Sequence, residues 1–127
     1  MVHVVTPLLD GIGRRADAQH LLRWALRHTD TAASAVPATV DLARSLMRDD
    51  RVSAALRVLT QTQRRFTRLP VRLGDRLELA RADVWMHSGR HAASASLARA
   101  IAQRAAARGD DRLHARALLS QIGRAHV

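Results

Sequence analysis

No cysteine, lysine, asparagine or tyrosine occurs in this 127-residue chain, and phenylalanine occurs only once and tryptophan twice. Each absence excludes something. Without cysteine there is no disulfide framework and no thiolate chemistry, which suits a reducing compartment. Glu78 is the sole glutamate, and the aspartates cluster where helices should end, so no pair of carboxylates is placed for acid–base catalysis. The nucleophile elbow G-x-S-x-G and the phosphate loop G-K-[ST] are both missing. No apolar run is long enough to span a bilayer. Met1–Asp10 lacks the basic and apolar regions of a signal peptide, so the expected location is cytoplasmic.

What is present is alanine, at 24 positions, and arginine, which supplies all 21 basic residues. Alanine has the best intrinsic helix propensity and lets helices approach closely, so the chain reads as all-α. The net charge of +10 raises the question of phosphate binding. Lysine, asparagine and tyrosine share A/T-rich codons, and their joint absence points to a GC-rich bacterial genome that uses arginine for lysine. Eleven acidic residues still leave the arginines outnumbering them, so part of the charge is a physical signal.

Three short segments have the look of a turn inside a helical hairpin. They are Gly13-Arg14-Arg15-Ala16-Asp17-Ala18, Asp50-Arg51-Val52-Ser53-Ala54-Ala55 and Gly89-Arg90-His91-Ala92-Ala93-Ser94. Each opens on a turn former followed by arginine, with a small residue five positions on. Upstream, small and bulky residues recur three apart as Ala43/Leu46, Ala82/Trp85 and Ala115/Leu118. Periodicity predicts helices over 14–29, 36–48, 51–68, 74–88, 91–108 and 111–121. Gly89 and Gly109 stand where a left-handed cap closes a helix, and Asp50 and Asp110 or Asp111 where a side chain caps the next one. Leu69-Pro70-Val71 breaks the chain. Val2–Val5 is a short apolar run without a β partner.

With Ala82, Trp85, Gly89 and Ser94, and again Ala43, Leu46, Asp50 and Ala55, the chain resembles the tetratricopeptide (TPR) family over residues 12–120. It departs in having Val52 and His91 where the family has tyrosine, in lacking a closing proline, and in a period longer than the family's ~34 residues. The Ala/Arg-rich style, with linkers such as Ala105–Leu113, is similar to the helical-repeat arm of large bacterial ATP-dependent transcriptional regulators of the MalT-like, LuxR-tailed kind. The resemblance implies antiparallel hairpins stacked as a short right-handed solenoid, one segment over 1–121, and a non-catalytic protein-interaction role. It implies that the first helix of each pair lines a groove, placing Val40, Arg44, Met47 and Arg48 beside Arg76, Leu79, Asp83, Met86 and His87. The partner-binding residues expected are thus Arg44, Met47, Arg48, Arg76, Asp83, Met86 and His87, facing a protein or peptide of acidic character.

Competing motifs are weaker. Gly11-Ile12-Gly13-Arg14-Arg15-Ala16 imitates the dinucleotide fingerprint, with Asp30 near the acidic position, but no strand leads into the glycines. His87 and His91 have the spacing of two zinc ligands, but Ser88 stands in place of the general-base glutamate and Gly89 ends the helix between them. No cofactor, metal site or enzyme activity is expected. Arg64, Arg65, Arg68, Arg72 and Arg76 form the densest basic stretch, with only Phe66 nearby to stack on a base. An Arg-rich module gripping nucleic-acid phosphates is therefore the alternative function.

The tail has its own reading. Ile122–Val127 match one frame of a widely used sequencing adapter (ATC GGA AGA GCA CAC GTC), and Gln121 fits the preceding codon. The expectation is a fragment of a longer protein, with Met1 an internal start and 122–127 an artefactual tail. Residues 111–121 would then open a fourth hairpin, packing Leu113, Ala117, Leu118 and Leu119 inward while leaving part of Leu118, Leu119 or Ile122 exposed.

Overall fold

The computed structural model describes residues 15–125, with side chains up to Gln121. The Gly11–Ala16 fingerprint, the turn at Gly13 and the Val2–Val5 run therefore lie wholly or partly outside the described residues, as do the side chains of the suspected tail. The chain is all-α. Among the described residues there are six helices and no strand: α1 (Arg15–Arg27), α2 (Ala32–Arg48), α3 (Val52–Arg65), α4 (Val71–His87), α5 (His91–Ala107) and α6 (Asp111–Ala125).

Several boundaries differ from the periodicity: α4 begins three residues early, at Val71, α6 runs four residues further, to Ala125, and α2 and α3 also shift. α2 begins four residues before the predicted start, because the Thr31 hydroxyl accepts the Ser34 N–H and nucleates an earlier turn. Pro37 is accommodated inside this helix and leaves one carbonyl without its usual donor. α3 ends at Arg65, three residues early, where Phe66 turns extended.

The same turn recurs three times. Arg51, Arg90 and Asp110 each donate their N–H five residues back, to Leu46, Trp85 and Ala105, at 2.8–2.9 Å. The residue before each, namely Asp50, Gly89 or Gly109, has a positive φ of 60°, 90° or 74° and donates three residues back. This is the Schellman closure, which satisfies two otherwise orphaned carbonyls. Gly89 and Gly109 behave as predicted. Asp50 occupies the left-handed closing position of α2, the turn place that its register with Gly89 gave it, and the N-cap of α3 is Arg51, whose side chain makes no cap hydrogen bond. Asp110 does cap its helix, accepting the Leu113 N–H at 3.2 Å. Three-residue connections of this kind make consecutive helices antiparallel neighbours.

The chain divides into two compact units at Leu69/Pro70. In the first, α2 packs against both α1 and α3. Leu22, Val36, Leu42, Leu46 and Leu59 are fully buried. Two polar clasps sit in this core. Thr39 Oγ1 donates to the Ala35 carbonyl at 2.8 Å, so its 2.7 Å contact with Thr62 Oγ1 is one in which Thr62 donates. Gln19 donates to Ser45 Oγ at 3.2 Å and to Asp49 Oδ2 at 2.8 Å, tying α1 to α2.

In the second unit, α4, α5 and α6 all pack on one another. Leu79, Ile101, Ala105, Leu113 and Ala117 form its shared core. Buried Asp75 of α4 is held by two arginines four residues apart, Arg104 of α5 and Arg108 just past its end, each at 2.9 Å. Leu113 and Ala117 face inward as predicted; Leu118 and Leu119 do not pack inward with them but are 42% and 66% exposed, the apolar exposure expected of this helix. The Ala115/Leu118 pair thus lies on the solvent side of α6, unlike buried Ala43, Leu46 and Ala82. Turning Leu113 and Ala117 onto the core leaves the other side of one helix for 115 and 118.

Candidate functional site

In the first unit a cleft of about 570 Å³ opens beside α1, α2 and α3. Its floor is apolar, made of Leu26, Leu42 and Val58, and Gln61 and the buried Thr62 add polar atoms. Arg23 and Arg27 stand one turn apart on α1 at its rim, a spacing that puts both on one helix face. Neither forms a hydrogen bond or ion pair among the described residues. Arg65, also at the rim, is already engaged. Its guanidinium donates to the Leu26 carbonyl at 2.8 Å and to the Thr29 carbonyl, and it lies 5.0 Å over the Phe66 ring. A cation on the last carbonyls of α1 complements the negative end of that helix. Beside Arg23, Trp24 is half exposed and stacks on His28 at 4.3 Å.

The second unit has a smaller cleft of about 310 Å³, lined by Arg72 and Arg76 of α4, Arg112, Leu113 and Arg116 of α6, and Asp110. The linear basic stretch read from the sequence is therefore split. Arg65 staples α1, while Arg72 and Arg76 join two arginines from much later in the chain. Arg112 and Arg116 were not singled out by sequence reading. Their i, i+4 spacing was legible, but the helix they face was not.

The partner-binding residues expected from the sequence fall in both units. Arg44 and Met47 are half-buried on α2 and Arg48 is exposed. On α4, Arg76 lines the smaller cleft, half-buried Asp83 accepts the Ser120 hydroxyl at 3.3 Å, and Met86 Sδ lies 2.7 Å from His91 Nδ1. His87 is exposed. Val40 and Leu79, expected to line the groove, are 4% and 3% exposed and belong to the core, because each points toward a neighbouring helix. Among the described residues no three histidine, cysteine or acidic side chains are grouped to hold a metal ion. No helix among them is long and apolar enough to cross a membrane. No protein-family model matches the chain, and neither a curated protein nor a solved structure matches it.

Proposed function

We propose that this chain is a non-catalytic protein-interaction segment, the TPR-like solenoid arm of a larger cytosolic transcriptional regulator, and that its partner is an acidic peptide with apolar anchors. The observation that carries this reading is the cleft beside α1, where an apolar floor of Leu26, Leu42 and Val58 meets the uncommitted pair Arg23 and Arg27. An amphipathic segment would set aliphatic side chains on that floor and carboxylates against the two guanidinium groups. The same Schellman turn inside the α2/α3 and α4/α5 hairpins supports a repeat architecture, in which equivalent helix pairs share their connection.

Binding of a fluorescein-labelled peptide alternating leucine and glutamate, followed by anisotropy, tests the reading. The double variant R23E/R27E should weaken binding by about tenfold or more, through lost pairing and new like-charge contact. With Trp85→Phe, the remaining Trp24 reports from the same helix. Undiminished binding by R23E/R27E would remove this cleft from the function. Tighter binding of a single-stranded oligonucleotide than of the peptide would favour the nucleic-acid alternative.

A further inference from the structure

The smaller cleft gathers like charges at a cost. Arg72 and Arg76 are four apart on α4, and Arg112 and Arg116 are four apart on α6, so each pair shares a helix face. The two helices are in contact, and both pairs border one cleft over the buried Leu113. Like charges at this spacing destabilise an isolated helix, and the two pairs also repel across the cleft. Arg72, Arg112 and Arg116 are exposed and form no hydrogen bond or ion pair among the described residues. Arg104 and Arg108 make the contrast, since both are committed to Asp75. The cleft's one acid, Asp110, forms no hydrogen bond or ion pair with Arg72, Arg112 or Arg116. Its Oδ1 accepts the Leu113 N–H, and its Oδ2 lies 3.5 Å from Arg108 Nη2.

We propose that the cleft between Arg72/Arg76 and Arg112/Arg116 binds a phosphate monoester, carried by a phosphorylated side chain of the peptide partner. The identity of that carrier rests on the protein-interaction reading above. A doubly charged tetrahedral oxyanion accepts bidentate donation from guanidinium forks on both sides, which a single carboxylate cannot do as fully. A compact cleft lined by four arginines, with no aromatic among its lining residues, suits one phosphate group better than a nucleic-acid strand. A strand asks for an extended basic track with stacking side chains.

The test is a titration of the ¹⁵N-labelled full chain, read at the arginine Nε–Hε signals. The probes are inorganic phosphate, an acidic phosphoserine peptide, its unphosphorylated and glutamate-substituted forms, and a single-stranded oligonucleotide. The phosphopeptide should move the Arg72, Arg112 and Arg116 signals and bind about tenfold or more tightly than its unphosphorylated form. Arg112→Gln and Arg116→Gln should each weaken it by about tenfold, while Arg99→Gln, on the exposed side of α5, leaves it unchanged. Inorganic phosphate acting at the same signals as strongly as the peptide would support the site and make the phosphate group its whole determinant. The proposal is overturned by equal binding of the glutamate peptide, by tighter binding of the oligonucleotide, by an equal loss in Arg99→Gln, or by no shift at these arginines. The Arg23 and Arg27 signals report the other cleft in the same spectra. Movement there with silence at Arg112 and Arg116 rejects the phosphate site alone, and the reverse rejects the α1 cleft alone.

Discussion

The Ser94 hydroxyl donates to the Ala82 carbonyl at 2.5 Å, one helix to the next, with both residues fully buried. These are the two small residues that flank the Gly89 turn, and the contact shows why both are small. Ser94→Ala should cost about 0.5–1.5 kcal/mol for the lost hydrogen bond. Ser94→Leu should cost at least about 1–3 kcal/mol, because the added atoms have no space between α4 and α5. Thermal and urea unfolding followed by helical circular dichroism would check the order, and equal effects would show that the helices can separate cheaply.

The three Schellman turns differ in what fills the left-handed position. Gly89→Ala and Gly109→Ala should each destabilise by about 1 kcal/mol, since a Cβ is strained at positive φ although nothing crowds it within 4 Å. Asp50→Gly should act in the opposite direction, by roughly 0.5 kcal/mol, through relief of the same strain. A loss of stability in Asp50→Gly would mean that the aspartate side chain contributes more than its backbone costs.

Asp49 gives the first unit a pH dependence. The Arg15 guanidinium, 2.6 Å from its Oδ1, and the Gln19 amide at Oδ2 hold its carboxyl below the usual carboxylate value against the opposing effect of desolvation. A folded-state pKa below the unfolded one means that unfolding takes up a proton in acid. The stabilisation is therefore complete above the unfolded value near 3.8 and is lost as pH falls through the lower folded value. Asp49→Asn should melt below the parent chain at pH 7, with the gap closing below about pH 4. A gap that persists into acid would assign the effect to hydrogen bonding alone.

Asp75 is buried between two arginines whose side chains are 47% and 29% exposed. Asp75→Asn should cost about 1–2 kcal/mol, less than a fully buried pair, because both guanidinium groups can return to water. Arg104→Gln or Arg108→Gln alone should cost less than Asp75→Asn, since one arginine remains on the carboxylate. Unfolding of the three variants at low and high salt would separate them.

Leu118 and Leu119 place two large apolar side chains on the solvent side of α6. The double variant L118E/L119E should change stability by less than about 1 kcal/mol, since neither side chain fills the core. It should also lower any self-association seen by light scattering. A large loss of helicity would mean that these residues are covered in solution.

The all-α class, the six helices and the closing roles of Gly89 and Gly109 were readable from the sequence, because helix propensity, apolar period and cap chemistry act within a few residues. The close Ala82/Ser94 approach was legible for the same reason, as small residues at fixed offsets from a turn. The cap at Asp110 and the turn place of Asp50, in register with Gly89, were legible too. What the arginines pair with was not. Arg104 and Arg108 look like Arg112 and Arg116, each pair four apart, yet only the first meets an aspartate. Which segments are helical follows from local backbone physics and can be read along the chain. Which charges are neutralised and which line a cleft depends on the helix across the way, distant in sequence, and emerges only with the packing.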